Sequence, residues 1–263
     1  MRLRSAARAV AAGAALAAVG AGAEPAPELA QERVARIDAA LQPLNPLRGD
    51  ASPKAAVLWG DIRQDVPTGA LIEFAAGFSS PPHIHNVAYR AVVVRGEVHN
   101  DDPSAAVMWM GPGSYWTQPA GEAHVTSASA AGPSLAFLEI MSGPYLVAPA
   151  AEAFDSGERP INMAARNVVW LEAADVAWLR AETVGAGEAA AAAPRVAFLW
   201  GRPAEGARNG SFLELPSGFA GILAGGAGWL RAVLIRGRAR ASARRRTGGD
   251  ACAGRLFRRA RRA

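Results

Sequence analysis

The chain has 263 residues, enough for a sizeable core, and 51% of them are hydrophobic, much of that alanine. Its net charge of +5 is unevenly spread: residues 237–263 hold ten arginines against the single acid Asp250, which is +9, so residues 1–236 carry −4. A mildly acidic body excludes a basic nucleic-acid-binding domain, and the single cysteine, Cys252, excludes an intrachain disulfide and a cysteine-built metal site.

The N-terminus places Arg2, Arg4 and Arg8 before an Ala/Val/Leu stretch and then Ala21-Gly22-Ala23. This reads as a secretory leader over 1–23, cleaved at small residues. The apolar stretch is shorter than the roughly 20 residues a membrane span needs. No other apolar run suggests a span, so the expected location is periplasmic or secreted. Residues 24–54 form a lead-in, where Ala30, Val34, Ile37 and Leu41 recur at helical spacing and predict a short amphipathic helix over 27–42.

From 55 to 148 the texture becomes β. The runs "AAVLWG", "GALIEF", "YRAVVVRGEV", "AAVMWM", "LAFLEI" and "GPYLVA" are separated by Gly and Pro. Many short strands at even spacing predict an all-β sandwich or barrel. Segment 149–194 is irregular and ends in an Ala/Gly-rich linker.

Residues 195–239 repeat the start of the β region at a shift of 141. Leu58-Trp59-Gly60 falls on Leu199-Trp200-Gly201, Gly69 on Gly210, Glu73 on Glu214, Arg90 on Arg231 and Gly96 on Gly237. Such matches signal a duplicated unit. The repeat stops near 239. Residues 240–263 then read as a basic, disordered tail, either the product of a frameshift near 237–243 or a basic arm for an anionic partner. Cut off there, "WLRAVLIRG" would be a strand with missing neighbours, a route to self-association and a possible homodimer.

Three histidines carry the chemistry. His83 and His85 are two apart, so on a strand they share a face. His124 follows a Pro-Ala-Gly turn. Neutral imidazoles are common ligands of first-row metals. In the repeat, His83 becomes Ala224, His85 becomes Gly226 and Tyr89 becomes Leu230, so that copy has no donors. Glu73 and Arg90 persist as Glu214 and Arg231 and so read as structural, a surface or barrel-end pair. Gly77, Gly96, Gly113 and Gly121 read as turn glycines; Trp59, Trp109 and Trp116 read as filling the interior. Gln118 and Glu122 read as loop residues flanking the turn.

These residues resemble the cupin superfamily. Gly77, His83-Ile84-His85 and Gly96 match its first motif, and Gly113, Pro119, Gly121 and His124 match its second. The wider pattern resembles a group of exported bacterial proteins with two cupin units, and the resemblance covers about 55–239. It implies a double-stranded β-helix, or jelly-roll barrel, followed by a truncated second unit without a site. Where the family pattern has a glutamate ligand, this chain has Tyr89, so the resemblance implies one divalent ion (iron, zinc or manganese) on His83, His85 and His124.

Tyr89 can reach the metal or a bound ligand, or be an inward core aromatic. Glu139 can be the missing carboxylate or a neighbouring acid, or can face solvent. These two are the sequence candidates for catalytic groups. The expected partner is a small oxygenated organic molecule, turned over by a dioxygenase-like or other metal-assisted reaction or merely bound or sensed.

Overall fold

The computed structural model describes residues 41–172, 175, 180–183, 193–202, 207–216, 219, 221–224, 229–237 and 253–257. The expected leader over 1–23 and nearly all of the expected helix over 27–42 lie outside these residues. At the end of that span Gln42–Pro43 is a strand, β1. Among the described residues the regular structure is β, with only short 3₁₀ turns, and none of the helices is long and apolar enough to cross a membrane.

The first unit runs through β2 (Lys54–Trp59), β3 (Thr68–Phe74), β4 (His83–His85), β5 (Tyr89–Arg95), β6 (Val98–Asp101), β7 (Tyr115–Gln118), β8 (Val125–Ala128), β9 (Ser134–Ile140) and β10 (Val147–Pro149). The segment expected to be irregular supplies β11 (Ile161–Met163). One antiparallel sheet has the order β1-β2-β3-β9-β5-β7-β11. Facing it is a shorter layer, in which β10 pairs with β4 and β6 with β8. Isolated bridges, His83 to His124 and Ser79 to Ser127, join those two pairs. This is the double-stranded β-helix of the cupin fold.

Period-two alternation assigns the faces of the large sheet. Ala70, Ile72 and Phe74 of β3, Tyr89, Ala91 and Val93 of β5, and Ala136, Leu138 and Ile140 of β9 point inward and form the interior core. Residues between them, such as Leu71 and Leu135, point outward, yet they are fully buried in a second cluster with Ala56, Leu58 and Trp59. Both faces are covered, so these strands are nearly continuous apolar runs rather than clean alternations. Each fully buried Leu or Val contributes roughly 1.5–3 kcal/mol by leaving water.

The outward face is covered by the repeat. Preceding it, within 149–194, are β12 (Leu171–Glu172) and β13 (Arg180–Thr183), which pair with the repeat's β14 and β16; the repeat itself contains β14 (Arg195–Gly201), β15 (Asn209–Glu214), β16 (Gly221–Ala224) and β17 (Trp229–Val233). The register of β14 on β15 copies that of β2 on β3 at the shift of 141: Lys54 faces Glu73 as Arg195 faces Glu214, and Trp59 faces Gly69 as Trp200 faces Gly210. Both pairs carry the same irregularity before the tryptophan. The reason for the repeated glycine is steric. A Cβ on Gly69 would sit 2.1 Å from the Trp59 ring, and one on Gly210 would sit 2.0 Å from the Trp200 ring.

Within 240–263, read from the sequence as a strandless tail, Ala253–Phe257 forms a strand, β18, parallel to β17. In the first unit, by contrast, β5 is flanked by the antiparallel strands β7 and β9. Glu73 pairs with Arg95 at 2.6 Å, not with Arg90. Its counterpart Glu214 pairs with Arg195.

Candidate metal centre

β4 is a three-residue strand following Pro81-Pro82, and its alternation turns His83 and His85 to the same side. His124 is brought to them by a reciprocal backbone bridge: the His83 N–H donates to the His124 carbonyl at 3.0 Å, and the His124 N–H to the His83 carbonyl at 2.9 Å. The turn before His124 is fixed by Gly121. Its N–H donates to the His85 carbonyl at 2.8 Å and its own carbonyl accepts from Phe154 at 3.1 Å. Gly121 has φ +77°, and a Cβ there would lie 2.4 Å from the Phe154 carbonyl oxygen, so only glycine fits. Gly77, Gly96 and Gly113 also adopt positive φ.

The three imidazoles converge. Ring centroids are 4.2 Å apart for His83 and His124, 4.9 Å for His83 and His85, and 5.2 Å for His85 and His124. One nitrogen from each lies within 4.8 Å of the others. Each Nδ1 is tied to a backbone carbonyl: His83 to Pro81 at 2.9 Å, His85 to Leu146 at 3.1 Å and His124 to Glu122 at 3.1 Å. A carbonyl only accepts, so each Nδ1 carries the proton and each Nε2 keeps a lone pair. The Nε2 of His124 is buried without a hydrogen-bond partner, a costly arrangement for a polar atom unless something binds it. Burial lowers the pKa of all three. For His124, burial and then the nearby His83 bring it down to about 3, and His85 is pushed well below the ordinary histidine range by burial and then by the other two. The set therefore stays neutral near pH 7 and can hold a divalent metal ion.

Tyr89 lies beside the cluster, its ring 5.3 Å from that of His85. Its hydroxyl is engaged elsewhere, donating to Asn100 Oδ1 at 3.2 Å. Asn100 Oδ1 also accepts from Thr126 at 2.7 Å, and Asn100 Nδ2 donates to Gln118 Oε1 at 2.9 Å. Gln118 in turn donates to the Glu122 carbonyl at 3.0 Å, just before His124. Gln118 is thus a buried strand residue within a polar network, not a loop residue. Burial raises the Tyr89 pKa, which keeps it a neutral phenol.

Glu139 is not brought to the histidines. On β9 it alternates outward with Leu135 and Phe137, and it lies 3.8 Å from Arg90 on the face that meets the repeat. Burial raises its pKa, opposed by Arg90, Arg231 and Arg208. The fourth histidine, His99, is apart from the cluster and accepts from the Met108 N–H at 3.4 Å. Trp116 fills the interior, Trp59 is buried on the outward face and Trp109 is exposed.

Sequence reasoning missed Asn100, Thr126 and Tyr145. The Tyr145 ring stacks on His85, with centroids 4.4 Å apart and 15° between planes, and its hydroxyl donates to His85 Nε2 at 3.1 Å. Nothing in "GPYLVA" marks it out from an ordinary strand aromatic.

Similar solved structures include a candidate dioxygenase from Nostoc punctiforme, 13% identical, covering 56% of this chain and 52% of that one, TM-score 0.41. An uncharacterised protein with a double-stranded β-helix domain from Klebsiella pneumoniae is 18% identical over 37% of this chain and 79% of that one, TM-score 0.32. An RmlC-like cupin from Shewanella frigidimarina is 15% identical over 44% of this chain and 94% of that one, TM-score 0.33. The chain thus spans about half the length of the Nostoc protein. No curated protein matches it. The duplicated strand register, the histidine cluster and the arginine-rich end all fall within residues 32–262, which match one family model described as a domain of unknown function, DUF4437; the chain belongs to that family.

Proposed function

We propose that the protein is an exported mononuclear metalloprotein in which His83, His85 and His124 hold one iron, zinc or manganese ion and present it to a small oxygenated organic molecule. The observation that carries this reading is the convergence of three imidazoles, one nitrogen of each within 4.8 Å of the others, with every Nδ1 bonded to a backbone carbonyl and every Nε2 thereby left with its lone pair. Three neutral nitrogens leave coordination positions open. They also leave the ion's double charge uncompensated, and the walls here are the neutral aromatics Tyr89 and Tyr145. An anionic oxygen ligand, such as an enolate or a carboxylate, offsets that charge. When bound, the metal supplies Lewis-acid activation of such a ligand or, as iron, a place for O₂. The chain's own residues hold the imidazoles in one tautomer and set the rings of Tyr89 and Tyr145 against His85. Export rests on the leader-like sequence of residues 1–23.

A dioxygenase-like turnover is one form of this reading. The second is binding or sensing without turnover. It is favoured by the placement of the two expected acid–base groups, since Tyr89 is tied to Asn100 and Glu139 lies on the opposite face. Metal analysis of purified protein tests the shared claim: about one ion per chain is expected, lost in the His85→Ala/His124→Ala variant. Unchanged stoichiometry in that variant rules the site out. Oxygen uptake by iron-loaded and zinc-loaded protein with small diketones and enols separates the two forms.

A further inference from the structure

We infer that Tyr145 is the residue that contacts the oxygen ligand of the metal, donating its phenolic hydrogen bond to it. This deepens the proposed metal reading and rests on it. The inference starts from how firmly Tyr145 is placed. Asn86, next to His85, grips the chain on both sides of it: its Nδ2 donates to the Pro144 carbonyl at 2.9 Å, and its Oδ1 accepts from the Leu146 N–H at 2.8 Å. The Tyr145 N–H donates to the Ile62 carbonyl at 2.8 Å. The Leu146 carbonyl is also the acceptor that fixes His85 Nδ1. The same short segment therefore orients a histidine and sets the phenol beside it.

The second point is the bond that the phenol makes. Its hydroxyl donates to His85 Nε2, the nitrogen whose lone pair the metal reading assigns to the ion. That nitrogen cannot serve both. Metal binding therefore removes the acceptor from the hydroxyl of a half-buried tyrosine that Asn86 and the stack on His85 hold in place. An unpaired hydroxyl there is costly, and an oxygen anion held by an ion on His85 Nε2 would offer it a charged acceptor beside the nitrogen it now bonds. Tyr89 cannot take this role while Asn100 holds its hydroxyl.

The test uses the full chain loaded with cobalt(II), whose visible spectrum reports the coordination sphere, and titrates acetohydroxamate as a bidentate oxygen anion. Tyr145→Phe keeps the ring stack and removes only the hydroxyl. Expected are one cobalt per chain in both proteins and a loss of acetohydroxamate affinity of roughly tenfold or more in the variant, the effect of one hydrogen bond to a charged acceptor. Asn86→Ala, which loosens the segment, should weaken the anion in the same direction with cobalt retained. Equal affinity in wild type and Tyr145→Phe overturns the inference while the metal reading stands. Loss of cobalt from Tyr145→Phe also overturns it, making the phenol a metal ligand. Wild-type protein that takes up no cobalt overturns the metal reading and this one together.

Discussion

The guanidinium of Arg90 lies over the indole of Trp200, 4.1 Å from the ring centroid. Its repeat counterpart does the reverse: Arg231 lies over Trp59 at 4.5 Å. Val92 packs into the cluster of Ala197, Phe212 and Trp200, and Val233 packs into that of Ala56, Leu71 and Trp59. Each copy hands the other the same residues, the pattern of a two-fold interface within one chain. This is why Arg90 recurs in a copy without histidines: the arginine serves the contact between copies, not the site.

Arg90→Ala should lower stability by about 1–2 kcal/mol, as expected for a cation on a largely desolvated indole. A double-mutant cycle with Trp200→Leu, read from urea midpoints, should give a coupling of about 1 kcal/mol. A coupling near zero would mean that the stacking carries no energy. Metal stoichiometry should stay at one per chain throughout, because the guanidinium sits on the sheet face away from the histidines.

The same geometry separates Glu139 from the site. Glu139→Gln should leave metal content and acetohydroxamate affinity unchanged, while His124→Ala should remove the metal. Plasma emission analysis and the cobalt titration read the two effects. A Glu139→Gln protein that loses metal would show that the carboxylate reaches the histidines after all.

Much of this was legible in the sequence, for identifiable reasons. The His83/His85 pair is local, and two residues on one strand must share a face. The turn glycine Gly121 and His124 are held by motif spacing. The faces of the large sheet were not legible, because "GALIEF" and "LAFLEI" are apolar on both sides when the repeat covers the outer one. That hid the outward direction of Glu139, which only register reveals. Tyr145 and Asn100 were missed for a different reason. Their roles come from contacts across 60 residues to His85 and across 11 and 26 residues to Tyr89 and Thr126, and no local pattern encodes such contacts.

Asn100 holds together three buried side chains at once. Replacing it with Leu strands the Tyr89 and Thr126 hydroxyls and the Gln118 carbonyl in a dry interior, at roughly 1–3 kcal/mol each though not additively. The Asn100→Leu protein should be destabilised by about 3 kcal/mol. Tyr89→Phe, which frees one lone pair of an acceptor that Thr126 still satisfies, should cost about 1 kcal/mol. Urea midpoints at unchanged m-value give the comparison. Equal losses would mean that the network is not the reason these residues are buried.

The histidine cluster also predicts a pH dependence for metal-free protein. In an unfolded chain a histidine titrates near 6.5. In the fold all three are lowered by burial, which disfavours the charged ring, and His85 and His124 are lowered further by the neighbouring imidazoles, His124 to about 3. Folded pKa values below the unfolded one mean that the unfolded chain binds more protons as the pH falls. The stability is thus fully present above about pH 6.5 and is lost progressively below it, down to about pH 3 for His124. Each histidine that stays neutral in the fold while protonating in the unfolded chain contributes a slope of up to about 1.4 kcal/mol per pH unit. The urea midpoint of metal-free protein should therefore be level from pH 8 to 7 and fall from pH 6.5 to 5, a window in which few other side chains titrate. His124→Asn removes one such group and should make the fall shallower by that share. A midpoint that does not change between pH 7 and 5, or a His124→Asn protein with the full wild-type slope, would show that the cluster is not buried and neutral as described.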